Sequence, residues 1–157
     1  MKETDVLKGI FAGIIGGIAA TYAKTVWEDN FPVRHKTTDS PPVKLAEKIN
    51  ENLGNKALTK KDKKQAESNI HWAFGTGTGA LYGALVEENK GVAMGYGIPF
   101  GTAFWVATHG STIPAMDLEP FPHEVKPRKF AWNEFAGHLV YGLTLEIVRR
   151  GVRKYMD

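Results

Sequence analysis

Glu134, His138, Gly142 and Glu146 are spaced by four, so on a helix they form one slowly drifting polar stripe along an otherwise apolar segment. A histidine next to a carboxylate titrates near physiological pH, and such a group senses or relays protons. The same residue types ligate metals, but no HExxH-like motif and no close histidine pair in the sequence sets a ligand geometry. A third role is structural: an interior glutamate pairs with lysine or arginine, and a helix-end histidine satisfies a loop carbonyl. Nucleophilic catalysis has no carrier, because the chain contains no cysteine and no nucleophile elbow. Lys24, Glu28, His71, His109, Glu134, His138 and Glu146 are therefore read as a protonatable polar set, with no catalytic residue, no metal and no cofactor assigned.

These side chains belong to, or border, four unusual stretches, 9–27, 70–86, 91–110 and 131–148. The 157-residue chain has 20 Lys and Arg and 17 Asp and Glu residues, of which only Lys24, Glu134 and Glu146 fall in the four stretches. Fifteen of the 17 glycines lie there too, the reverse of what glycine in turns would give. Averages alone, a net charge of +3 and 43% hydrophobic residues, describe an ordinary soluble domain. Sorting by segment points instead to an all-α, polytopic membrane domain of four glycine-rich helices with wet loops at 28–69 and 111–130. A run of about 19 residues at ~1.5 Å each approaches the ~30 Å hydrocarbon core of a bilayer. Lys24 would snorkel to the interface at the end of the first run, where Trp27 also fits. The lack of cysteine argues against a disulfide-stapled module or a thiol centre. The first apolar run has no small-residue cleavage site followed by polar sequence, which argues against a removable signal peptide.

The loop 28–69 carries nine Lys or Arg against seven Asp or Glu, with Pro32, Pro41 and Pro42 breaking its first part. Within it Val43, Leu45, Ile49 and Leu53 have near-helical spacing and predict a short amphipathic helix suited to a membrane surface. Thr59 is placed to cap a helix that continues into the second apolar stretch. Four polar residues, Glu87 to Lys90, predict a tight hairpin, and Pro99 predicts a kink inside the third helix.

Gly9, Gly13 and Gly17, then Gly75, Gly79 and Gly83, then Gly97 and Gly101 repeat at four-residue intervals. That spacing puts them on one helix face, where a missing side chain lets another backbone approach. In water each interior glycine would cost about 1 kcal/mol relative to alanine, whereas in a bilayer the helix persists and glycine becomes a packing device. The run Gly75-Thr76-Gly77-Thr78-Gly79 superficially resembles a dinucleotide fingerprint, but it lacks the preceding strand and a suitably placed acidic residue.

Four spanning helices would bring Lys24, Glu28, His71, His109, Glu134 and His138 to one level, with His123 in the adjoining loop. Residues 133–140 (NEFAGHLV) and 145–150 (LEIVRR) resemble the last helix of the YagU-like bacterial inner-membrane proteins, a family of unknown function. Trp27, Glu28, Phe31, Pro32, Arg34 and the pair Pro41-Pro42 resemble the family's segment after the first helix. His109, Ile113-Pro114 and Asp117-Leu118 resemble the stretch after its third. The resemblance implies a multi-pass inner-membrane protein with a loosely described role in acid tolerance and no established chemistry.

The Arg149, Arg150, Arg153 and Lys154 cluster outweighs the longer, acid-balanced loop under the positive-inside rule, which puts both termini in the cytoplasm. The expected function is a non-enzymatic inner-membrane protein, contributing to acid tolerance through the His/Glu cluster. The alternative is a small transporter or channel subunit with a polar path along the fourth helix. The expected partners are the lipid bilayer and a second copy of the chain, and no nucleic acid.

Overall fold

Local signals account for where two of the helices start. Thr59 closes a capping box: its hydroxyl receives the Asp62 backbone N–H, and the Asp62 carboxylate receives the Thr59 backbone N–H. The Thr59 hydroxyl also donates to the Asp62 carboxylate at 2.6 Å, and this bond, followed by the one from the Thr59 backbone N–H, holds the Asp62 carboxyl below its ordinary range. Pro41 and Pro42 stand in the first turn of the amphipathic helix, where a missing N–H costs nothing. In the computed structural model, which describes residues 3–156, the chain forms α1 (Glu3–Asn30), α2 (Pro41–Asn52), α3 (Lys60–Glu88), α4 (Ile98–Ala107), α5 (Ile113–Ala115) and α6 (Lys129–Lys154). No strand occurs among the described residues.

Helix α3 runs unbroken from its capping box through the second apolar stretch, so Gly75-Thr76-Gly77-Thr78-Gly79 is mid-helix and not a phosphate loop. The third apolar stretch differs from the kinked helix expected over 91–110. Residues Lys90–Gly97 form a 3-10 segment whose last part leaves helical geometry, with Gly95, Tyr96 and Gly97 at φ of 61°, 54° and 78°. Glycine takes that left-handed conformation without penalty. Tyr96 is held in it beneath the Arg150 guanidinium, 4.7 Å from its ring. Helix α4 therefore starts at Ile98, and Pro99 opens it where a kink was expected.

Pro114 acts later in the same stretch. It cannot donate to a carbonyl one turn back, and the helix widens into a π-turn over Thr108–Thr112. The hydroxyls of Ser111 and Thr112 both donate to the Ala107 carbonyl, at 2.8 and 2.7 Å.

Helix α1 is the axis of the bundle, antiparallel to both α3 and α6. A Cβ added at Gly13 would lie 2.2 Å from the Gly79 carbonyl oxygen, and one at Gly83 would lie 2.0 Å from that of Gly9. Gly17 meets Gly75 and Gly79 in the same way, while Gly97 and Gly101 on the α4 side press on α6 at Gly142 and His138. Backbones this close leave room for only a small apolar core, Ala20, Tyr82, Val86, Ala93, Tyr141 and Leu145, with Phe100 and Phe104 against it. The Tyr141 hydroxyl crosses from α6 to donate to the Gly75 carbonyl of α3.

Among the described residues one helix, Asp5–Asn30, is long and apolar enough to cross a membrane by length and composition. Helix α4, with ten residues, is too short for that criterion, and α3 and α6 are long enough but less apolar on average.

The first loop is tied down by Lys63, which bonds Asp39 and Glu47 at 2.7 Å each. Hydrogen bonds to Asp39 and then Glu47 push the Lys63 ammonium up to about 12. Helix α2 turns Val43 inward, but Ile49 and Leu53 at its far end are exposed.

Two outcomes follow from this packing. Gly13→Ala or Gly83→Ala should destabilise the fold by about 1–3 kcal/mol, as overpacking does. Gly77→Ala on the same helix, where an added Cβ meets nothing within 4 Å, should be neutral or stabilising; denaturant titration of the helical circular dichroism compares them. Because the raised Lys63 pKa supplies stability below its ordinary value of 10.5 and loses it as pH rises through about 12, Lys63→Met should mimic strong alkali. Hydrogen exchange should then show lost protection over 41–52 and unchanged protection over 70–86.

Candidate functional site

Glu134 lies one turn into α6 and faces the bundle, its side chain only 6% exposed. A carboxylate in that position needs partners, and three elements supply them. Helix α1 contributes Lys24, whose Nζ donates to Glu134 Oε1 at 2.8 Å and also to Glu28 one turn away. Gly137 makes space for that lysine: a Cβ there would meet Trp27 Cδ1 at 3.2 Å and Lys24 Cγ at 3.6 Å. The segment after α1 contributes Arg34, whose Nη2 is 3.7 Å from Glu134 Oε2. The π-turn contributes His109, whose Nε2 is 3.3 Å from Glu134 Oε1.

Both histidines of the cluster are oriented from behind. The Nδ1 of His109 pairs with Glu119 Oε2 at 2.8 Å, and the Nδ1 of His138 bonds the Glu134 backbone carbonyl at 2.9 Å. Their rings meet edge to face with centroids 5.2 Å apart, and Phe104 packs on the other side of His138 at the same distance. Two buried atoms of the cluster, Arg34 Nε and Glu134 Oε2, have no hydrogen-bond partner. Trp27 Nε1 donates to the Asn133 carbonyl and Asn133 Nδ2 to the Pro32 carbonyl, both at 2.9 Å, which stitches the chain after α1 to the start of α6.

The cluster forms one wall of a cavity of about 900 Å³ between α1, α3 and α6, closed in part by residues 32–43. His71 lines this cavity, but its Nε2 meets Thr25 Oγ1 at 3.2 Å and does not reach Glu134. The cavity is polar toward Lys24, Arg34 and His71 and apolar toward Phe74, Phe104 and Tyr141.

The structure thus brings together Lys24, Glu28, His109, Glu134 and His138, and places His71 beside them. Two sequence-based expectations need correction. Glu146 is not part of this group: it is fully buried at the opposite end of α6, where Arg149 Nε donates to it at 2.7 Å and Arg150 bonds its other oxygen. Glu87 joins that second network through Arg149 Nη1 at 3.9 Å and is itself paired with Lys90 at 2.8 Å and Arg153 at 2.9 Å. His123 is exposed in the second loop, stacked on Phe121. The polar stripe is also interrupted, since Tyr141 and Leu145 fill the core between His138 and Glu146. Glu119 is a member that sequence reasoning missed. It sits in an irregular loop with no periodicity to mark it, and only its contact with His109 reveals it.

A family described as a protein of unknown function (DUF1440) matches residues 18–147. The chain belongs to this family. The match encloses every residue of the cluster, including Arg34 and Glu119, and its description carries no activity. No curated protein and no solved structure matches the chain.

Removing one member of a buried ion pair strands the other. Lys24→Met should therefore cost roughly 3–5 kcal/mol in denaturant unfolding. Adding Glu134→Gln to that variant should recover part of the loss, so the double variant falls short of the sum of the singles.

Proposed function

We propose that the chain is a multi-pass membrane protein whose four apolar stretches all lie in the bilayer, with a polar binding centre at one end. One observation carries this reading. In 9–27, 70–86, 91–110 and 131–148 every exposed residue is glycine, alanine, proline, aliphatic, methionine or aromatic, while Lys24, Glu134 and Glu146 are all buried. Phe11, Ile18, Tyr22 and Val26 form such a face on α1, and Phe74, Leu81, Val106, Trp132, Leu143 and Ile147 extend it around the other helices. A water-soluble bundle would present the opposite arrangement. The helical run from Ile98 through the π-turn to Ala115, about 27 Å at ~1.5 Å per residue, is read as the third crossing, with the exposed Ser111 and Thr112 at its outer end.

The site is read as a binding centre and not as an enzyme. Its one hydroxyl–imidazole contact is arranged against nucleophilic attack, because Thr25 Oγ1 gives its proton to the Thr21 carbonyl and is left to accept from His71. The interrupted stripe on α6 speaks against a polar path through a single copy. Acid tolerance rests on the family resemblance alone.

Orientation follows the arginine cluster, with the termini and the hairpin at Glu87–Lys90 in the cytoplasm and the cluster of Glu134 at the outer face. The absence of native cysteine makes the test direct. In intact cells an impermeant thiol reagent should label Lys56→Cys, and should label Glu88→Cys only after permeabilisation. Labelling of both from outside, or release of the wild-type chain by carbonate, overturns the reading.

A further inference from the structure

We propose that His109, Glu134 and His138 form a binding site for a divalent first-row transition metal such as zinc, with a fourth position open to the cavity. One ligand atom from each of the three lies within 4.8 Å of the other two. The His109 Nε2 to Glu134 Oε1 distance of 3.3 Å is close to the edge of a zinc tetrahedron, about 3.3–3.5 Å for bonds of ~2.0–2.1 Å. Two imidazoles and one carboxylate are the donor set that such metals take when they keep an exchangeable position.

Three further features point to a ligand. A metal-bound histidine ordinarily has its second nitrogen engaged by a carboxylate or a backbone carbonyl. His109 is held that way by Glu119, and His138 is fixed by its Nδ1 bond to the Glu134 backbone carbonyl, with that nitrogen 3.5 Å from Glu134 Oε1. The bond to Glu119 leaves Nε2 of His109 to ligate. Next, Glu134 Oε2 is buried without a hydrogen-bond partner, in a side chain more than nine-tenths buried, and the residue lines the cavity. Lys24 donates to Oε1, the oxygen that also lies nearest the two imidazoles, at 3.3 Å from His109 and 3.5 Å from His138, while Oε2 faces Arg34 Nη2 at 3.7 Å. Finally, with neutral imidazoles the cluster holds three carboxylates, Glu28, Glu119 and Glu134, against two cations, Lys24 and Arg34. That excess of one negative charge in a buried setting favours uptake of a cation. The π-turn presents His109 to α6, and widened turns of this type recur at functional sites.

Metal binding by these residues does not depend on the membrane topology, which the labelling experiment tests separately. The untagged full chain in detergent is stripped with a chelator and titrated with zinc by calorimetry, with cobalt as the absorbing probe. One zinc per chain is expected, with visible cobalt bands of low-symmetry coordination. His109→Asn should weaken zinc binding about 100-fold or more, and Glu119→Gln, which removes only the orienting carboxylate, roughly 10-fold. His71→Ala, in the same cavity but outside the ligand set, should leave the affinity unchanged. Because His138 and Glu134 are buried and their variants risk misfolding, the decisive comparison is His109→Asn and Glu119→Gln against His71→Ala, each checked for wild-type helicity. No zinc uptake, or uptake that His71→Ala weakens as much as His109→Asn does, overturns the proposal. So does a folded Glu119→Gln chain with wild-type affinity.

Discussion

Contact of backbone on backbone between α1 and its two neighbours governs the rest of the molecule. Where Gly13 meets Gly79 and Gly9 meets Gly83, no side chain separates the helices, so their axes come closer than leucine-filled packing allows. The gain is dense dispersion contact along the whole length of α1, and the consequence is a core with little room for bulky apolar side chains. Many large hydrophobic residues are therefore turned outward and few are fully buried. What remains inside is a short aromatic and aliphatic plug around Tyr82, Tyr141 and Leu145.

Above and below that plug the same close packing encloses charge. At one end Glu134 is shared among Lys24, Arg34 and two histidines; at the other Glu146 and Glu87 are held by Arg149, Arg150, Lys90 and Arg153. The two networks differ in kind. The carboxylates of the second are met by guanidinium and ammonium groups in direct hydrogen bonds, which makes it a clasp joining the ends of α3 and α6. The first keeps an oxygen of Glu134 and a nitrogen of Arg34 without hydrogen bonds beside a large cavity. A buried polar group left in that condition is costly, and sites that carry such a cost are commonly those that bind something.

Much of the helical layout was legible in the chain. Thr59 and Asp62 announce the start of α3, Val43 and Leu45 the inward face of α2, and the four-residue glycine intervals the faces on which helices meet. The third apolar stretch was not legible, because Gly95 and Gly97 look like packing glycines in a periodic pattern. Their left-handed conformation, and that of Tyr96 between them, appears only when Arg150 and Gly142 of α6 press against them. Glu146 was misplaced for a related reason. Four-residue spacing gives its face on α6 but not the level at which a partner sits, and that level belongs to the arginines that follow it.

Composition and spacing by themselves determined that the chain is helical, that the glycines at four-residue intervals mark helix contacts, and that Glu134 and His138 lie inward. Those properties are local, set by the 3.6-residue turn and by the cost of burying charge alone. Lys24, read from sequence as snorkelling to the interface, is instead buried against Glu134. Only the tertiary structure decided which of the inward groups meet. His109 reaches Glu134 because Pro114 widens its turn, and Glu119 reaches His109 because an irregular loop folds back. Arg34 arrives through a connection stitched down by Trp27 and Asn133. Each depends on residues distant in sequence whose distances are settled by packing, and no local periodicity encodes them.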